Sequence, residues 1–239
     1  MSIRDINVVV TGWAPPPRPV DVALQGRYVR LVPLDADAHC ADLHWANSVS
    51  DTIWDYLPYG PFSSAAAYHR WARGAQDGND PVFFTIEDLS TGHLGGVASY
   101  LRIAPEAGSI EVGHINFAPM LQKTRAATEA MFLMMQWAFD SGYRRYEWKC
   151  NAANMASRRA AERLGLSYEG IFRQAGIIKG RNRDTAWFAA IDQEWPALRE
   201  AFHAWLAPSN FTADGMQIER LADLTQLVRV ASDPDLVRG

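Results

Sequence analysis

The chain has 239 residues, 48% of them hydrophobic, enough to bury a sizeable core in what is most simply one elaborated domain. The formal net charge of -4 argues against a general nucleic-acid binder, which carries a basic surplus. No apolar run reaches the roughly 20 residues of a membrane span. "MSIRDINVVVTGWAPPPRP" lacks the basic start and apolar core of a secretory signal, so a cytoplasmic protein with neither nucleic-acid nor membrane partners is expected. Cys40 and Cys150 are the only cysteines and show no metal-ligand spacing. They read as buried thiols in a reducing compartment, with no metal.

Residues 1–25 read as an N-terminal arm, in which "APPPRP" (Ala14 to Pro19) is extended chain that crosses a surface or links. "GRYVRLVPL" (Gly26 to Leu34) alternates as a strand, and Asp35 to Asn47 follows as a helix. "IWDYLPYGPF" (Ile53 to Phe62) is a loop dense in aromatics, glycine and proline, after which Ser63 or Ser64 caps a helix over Ala65 to Gln76. Pro81 to Asp88, His93 to Ile103 and Ser109 to Phe117 form an antiparallel meander, with a bulge or close backbone approach at Gly95-Gly96.

Beyond the meander, Ala126 to Asp140 is apolar nearly all round and predicts a buried central helix. Arg145 to Cys150 is strand, and "NMASRRAAERLG" is helix closed by Gly165. A hairpin then turns at Lys179 to Asn182, and Trp195 to Leu206 is an amphipathic helix with Pro196 at its start. The order β-α-α-β-β-β-α-β-α-β-β-α predicts an α+β fold with a mixed, mostly antiparallel sheet flanked by helices. Residues 208–239 read as a C-terminal tail, weakly amphipathic over Ile218 to Val230, that could dock on a partner subunit; a homodimer is left open.

Four segments carry a resemblance: "GRYVRLVPL", "SIEVGHINFAP", "LQKTRAATEA" and "NAANMASRRAAERLGLSYEGIFR" (Asn151 to Arg173), the last being the most specific. From about Gly26 to Leu206 the chain resembles the GCN5-related N-acetyltransferase (GNAT) superfamily, in its ribosomal-protein N-acetyltransferase-like branch. The resemblance implies a domain over 26–207 whose sheet is splayed between two parallel strands. It implies acetyl-CoA, or another acyl-CoA, in the splay and an amine acceptor entering from the other side. The implied function is direct acyl transfer to a primary amine of a small molecule or of a protein or peptide.

In the loop the family pattern places Gln122 and Ala127, but Arg125 stands where a glycine is usual. The loop's task is to aim backbone N–H groups and a helix N-terminus at a diphosphate, which a residue of negative φ performs as well as glycine. Gln122, Lys123, Thr124, Arg125, Ala126, Ala127 and Thr128 are therefore candidate cofactor-binding residues, with Lys123 and Arg125 adding positive charge; the opposing reading has Arg125 block the site. Asn154 is a helix N-cap that the resemblance also assigns to the pantetheine arm. No tyrosine stands one turn into that helix, where many members of the superfamily place their acid; the resemblance to the ribosomal-protein branch, which has a serine there, implies Ser157 as the acid toward the departing thiolate.

Glu111 holds the family position for the base that takes the amine's proton. His114, three residues on, faces the opposite side unless the strand bulges, and reads as a packed histidine. Trp54, Tyr56, Tyr59 and Phe62 are candidate walls of the acceptor pocket. Arg125 and the missing tyrosine leave open a non-catalytic CoA-binding or sensing module. A nucleotide-binding protein is disfavoured by the lack of any GxGxxG or Walker pattern.

Overall fold

The computed structural model describes residues 9–237; the first eight residues of the arm and the last two of the tail lie outside them. One eight-stranded sheet runs through the domain in the order β1-β2-β3-β4-β5-β6-β8-β7. Its strands are β1 (Leu24–Gln25), β2 (Val29–Pro33), β3 (Val82–Asp88), β4 (His93–Ala104), β5 (Ser109–Phe117), β6 (Arg145–Asn151), β7 (Ser167–Ile178) and β8 (Arg181–Ile191). Every neighbouring pair is antiparallel except β5 and β6, the two that a helical crossover joins. The expected mixed, mostly antiparallel sheet is thus what the chain forms.

Helices α1 (Ala36–Asn47) and α2 (Ala65–Gln76) cover one face of the sheet, and α3 (Arg125–Asp140), α4 (Met155–Arg163) and α5 (Trp195–Leu206) cover the other. Strand alternation sends Phe83 and Val97 into the smaller core beneath α1 and α2. Phe84, Ile86, Ala98 and Tyr100 go instead into the main core around α3, as period-two side-chain geometry requires. Short polar side chains begin the first four helices: Asp35 accepts from the Asp37 and Ala38 amides, Ser64 from Ala67, Thr124 from Ala127 and Asn154 from Ser157. Of the two serines that could cap α2, Ser64 does so. Cys40 and Cys150 are both free and buried, and burial pushes the Cys40 thiol up to about 11.

Three bulges shape the meander. The first is at Gly95, where β3 skips a residue of β4, and a Cβ on neighbouring Gly96 would collide with the Asn116 carbonyl oxygen. The second is at Arg102, which has φ 46° and lies where Leu101 to Ala104 opposes Glu111 to Ser109. The Asp80 carboxylate accepts from the Arg102 amide at 2.8 Å and the Ile103 amide at 3.0 Å. The arm braces this bulge: Arg18 donates to the Ile103 carbonyl and pairs with Asp80, while Pro16 and Pro19 are buried. The third is at His114, described below.

The tail, 208–239, is described as far as Val237 and folds back over its own chain. A short 3-10 turn (Pro208–Asn210) leads to a bridge between Phe211 and Gln217, then to α6 (Leu221–Thr225) and α7 (Pro234–Val237). Leu221 and Thr225 are fully buried against α4 and α5. Asp233, also fully buried, takes both Nε and Nη2 of Arg158 at 2.5 Å each. Removing one partner of a buried ion pair strands the other charge and costs on the order of 3–5 kcal/mol. Asp233→Ala is therefore expected to lower the melting temperature by roughly 6–20 °C; an unchanged melt would show that the pair does not hold the tail.

Candidate active site

The site exists because β5 and β6 pair for only four residues, from Ser109 and Arg145 to Val112 and Trp148. Beyond that point β5 bulges. Ser99 faces Gly113 and Val97 faces Asn116, so His114 and Ile115 together oppose one residue, and His114 takes φ 50°. The strand turns away from β6 and opens a cleft of about 1430 Å³, lined by β5, β6, the starts of α3 and α4, the 52–58 loop and the C-terminal segment. This is the splay that the resemblance implied.

The half of the cleft under α3 is lined by open amides and by cations. In the loop after β5, Lys123 takes the left-handed conformation (φ 62°), while Arg125 is absent from the positive-φ residues and opens the helix. Thr124 occupies itself with the protein: its Oγ1 accepts from the Ala127 amide at 3.0 Å and donates to the Leu121 carbonyl at 2.7 Å. The amides of Lys123, Arg125 and Ala126 have no acceptor among the described residues. They sit at the positive end of a 16-residue helix, where anions bind.

Lys123, Arg125, Arg159 and Arg163 line this half, and none forms an ion pair among the described residues. Four cations without a paired carboxylate, in a chain of net charge -4, give this half of the cleft a local excess of positive charge. The Arg125 guanidinium stacks between Tyr28, at 5.2 Å from the ring centroid, and Phe211, at 4.3 Å. Tyr28 is fixed in turn by Glu129, whose carboxylate accepts from the Arg27, Tyr28 and Val29 amides. Gly26 is required beside it, since a Cβ there would fall on that carboxylate.

The other half centres on Glu111, which is 3% exposed. The Arg102 bulge aims Nη1 at both Glu111 oxygens, each at 2.7 Å, and Lys149 reaches Oε2 at 2.9 Å. The pairs continue through Lys149 to Glu147, Glu147 to Arg145 and Arg145 to Glu169, an alternating row of charges across the sheet face. The Lys149 ammonium also lies 3.8 Å from the Trp187 ring centroid. Burial raises the Glu111 carboxyl above the usual carboxylate range, outweighing the two cations.

His114 stacks on Tyr59 with centroids 5.6 Å apart, and its Nδ1 lies 3.2 Å from the Tyr59 hydroxyl. Across the cleft, Ser157 Oγ accepts from the Trp148 indole at 3.0 Å, and its hydroxyl also acts on the buried Cys150 thiol, partly offsetting the upward push of burial there. Asn154 spends Oδ1 on the Ser157 amide, leaving Nδ2 toward the cleft it lines.

The structure gathers Glu111, Ser157, Asn154 and the residues Gln122 to Thr128 in one cleft. Within that loop, Gln122 donates to the Phe117 carbonyl, and Thr128 donates to the Thr124 carbonyl and accepts from Arg163, so the amides rather than the hydroxyls are open. Ala126 and Ala127 are buried. Of the four aromatic candidates, Tyr56 alone lines the cleft, beside Ile53, Leu57 and Pro58 of the same loop, with its hydroxyl donating to the Ala153 carbonyl.

Trp54, Tyr59 and Phe62 do not wall the pocket as expected. Together with Tyr68 and Trp71 they interlock edge-to-face and tilted in the smaller core, the arrangement that buries most ring area. Lys149, Arg102, Arg159, Arg163 and Arg183 line the cleft without having been singled out in the sequence. Only Arg159 and Arg163 carried a readable signal, an i, i+4 spacing on the motif helix.

Burial drops the His114 imidazole to about 4, helped by the nearby Arg102 and Arg183 charges. In the unfolded chain it protonates near 6.5, so between those values the unfolded state binds more protons and stability falls as pH falls. The loss from pH 6.5 to 4 amounts to about 3 kcal/mol at most, less for solvent screening. Denaturant melts of wild type and His114→Gln over that range are expected to show a shallower pH dependence in the variant; identical slopes would contradict a neutral, buried imidazole.

The acetyltransferase (GNAT) domain model matches residues 29–167. A solved GCN5-related N-acetyltransferase from Brucella melitensis is 45% identical, with TM-score 0.89, over 91% of this chain and 100% of that one. An uncharacterized N-acetyltransferase of Bacillus subtilis strain 168, YnaD, is 26% identical over 60% of this chain and 82% of its own length. The microcin C7 self-immunity acetyltransferase MccE, solved with acetyl-CoA and AMP, shares the fold at TM-score 0.62 and 18% identity, covering 70% of this chain and 93% of that one. The splayed parallel pair, the cleft between its strands and the matched domain agree: the chain belongs to the GNAT acetyltransferase family.

Proposed function

We propose that this protein is an acyl-CoA-dependent N-acetyltransferase that moves an acetyl group, or another acyl group, directly to a primary amine of a small molecule or of a protein or peptide. The observation that carries this is the pairing, in one cleft, of a set of open amides with a buried carboxylate and a serine hydroxyl. Acetyl-CoA, when bound, supplies the acyl group as a thioester. The amides of Lys123, Arg125 and Ala126 hold its diphosphate, assisted by the unpaired cations around them. Asn154 Nδ2 donates to the pantetheine arm.

In the transfer the amine nitrogen bonds to the acyl carbon as the carbon–sulfur bond breaks. Glu111, through water, takes the proton that the nitrogen sheds, and its burial makes it a better base than a solvated carboxylate. Ser157 donates a hydrogen bond to the sulfur as negative charge develops, with the Trp148 indole fixing its oxygen. The competing reading, a CoA-binding module without chemistry, draws on the two cations that already occupy the Glu111 oxygens.

Thiol release from acetyl-CoA with an amine panel separates the two readings. Ser157→Ala and Glu111→Gln are each expected to lower turnover by about 10²-fold, the lower end of acid–base contributions. Acetyl-CoA affinity by calorimetry should stay within a few-fold. In wild type, kcat should rise with pH as Glu111 loses its proton, and Glu111→Gln should remove that acidic limb. A variant that keeps wild-type turnover, with its melting temperature intact, would remove the corresponding role; wild type that binds acetyl-CoA but turns over no amine would favour the module.

A further inference from the structure

We infer that the acceptor amine carries an anionic group, a carboxylate or a phosphate, which Arg183 and the outer edge of Arg102 receive. The inference rests on the reading of the chain as an N-acetyltransferase and concerns the half of the cleft opposite the α3 cradle. Arg183 stands on β8 just past the end of β6, opposite Gly176. It lines the cleft, makes no ion pair and no side-chain hydrogen bond among the described residues, and its Nε is buried without a partner. A buried, unpartnered guanidinium nitrogen costs free energy that an incoming oxyanion would recover.

Arg102 supports the same conclusion. It commits only Nη1 to Glu111, and its side chain is still 60% exposed. Both arginines line the same cleft as His114, the residue at which β5 leaves β6.

Negative charge is lacking where an ammonium-rich acceptor would need it. Glu111 already holds Arg102 and Lys149. The other carboxylate lining the cleft, Asp88, stands at the end of β3 and accepts from the Ser90 amide and hydroxyl. A polyamine would meet two arginines and, for open carboxylate oxygen, only Asp88 Oδ2 at the end of β3; an amine bearing an acid group would meet a bidentate partner for the acid and, beside it, the carboxylate that takes its proton.

Matched acceptors test this in the full chain: ethanolamine against phosphoethanolamine, an alkylamine against the ω-amino acid of equal length, and spermidine. With acetyl-CoA, the anionic member of each pair is expected to show at least tenfold higher kcat/KM. Arg183→Gln should bring that ratio near one by raising the acceptor KM, with no comparable rise in the KM for acetyl-CoA. A parallel calorimetric titration of CoA-saturated enzyme should give heat with phosphoethanolamine, none with ethanolamine, and a loss of that heat in Arg183→Gln.

Preference for the neutral or cationic member, or an anionic preference that survives Arg183→Gln, would overturn the inference. So would succinyl-CoA outperforming acetyl-CoA with neutral amines, because the arginines would then be reading the donor. Absence of phosphoethanolamine heat in enzyme that binds CoA overturns it as well. Failure to bind acetyl-CoA at all would sink the acetyltransferase reading instead.

Discussion

A sheet normally gains by pairing its strands along their whole length, since every unpaired backbone group near the core needs another partner. Here β5 and β6 pair for four residues and then part. The parting is enforced by the chain: an extra residue at His114 bends β5 away, and its ring is pinned against Tyr59 and Phe83. The backbone and side-chain groups that the sheet thereby forgoes become the lining of a cleft. That cleft is where the open amides, the buried carboxylate and the Ser157 hydroxyl meet.

The two ends of the chain stabilise this opening from outside. The arm reaches the site through Arg18 and Asp80, which satisfy the bulge that aims Arg102 at Glu111. The C-terminal segment reaches it through Phe211, which with Tyr28 holds the Arg125 side chain. The buried Arg158–Asp233 pair anchors that same segment to α4, the helix that carries Ser157. Substitutions far from the cleft at either end are thus coupled to its geometry by identifiable contacts.

Much of the fold was legible because its patterns are local. Ser109–Phe117 and Trp195–Leu206 appear with the limits that alternation and Pro196 indicated. Ser64 caps α2 because a short hydroxyl before an alanine run has few better uses. The two-residue β1 and the short α6 and α7 escaped because they are too brief to carry periodicity and owe their existence to what they pack on.

The site was legible where backbone or motif spacing defines it, as at Gln122 to Ala127, Asn154 and Ser157. It was illegible where charges from distant strands meet: nothing local to Arg102, Lys149 or Arg183 tells that β4, β6 and β8 bring them to one cleft. The aromatic loop misled for a related reason, since composition does not say whether a ring faces a pocket or its neighbours.

In this reading main-chain amides, without the usual glycine, are the principal hold on the diphosphate, and the Arg125 guanidinium adds less than its amide does. Arg125 is the first residue of α3 and follows Thr124, which has the extended φ −87°, ψ 166° that a proline tolerates before it. Arg125→Pro therefore removes both the amide and the guanidinium while keeping the helix, and Arg125→Ala removes the guanidinium alone. Calorimetry with acetyl-CoA should find the proline variant weaker than the alanine variant by about tenfold, the value of one hydrogen bond to a charged group. Equal affinities in the two variants would contradict the account.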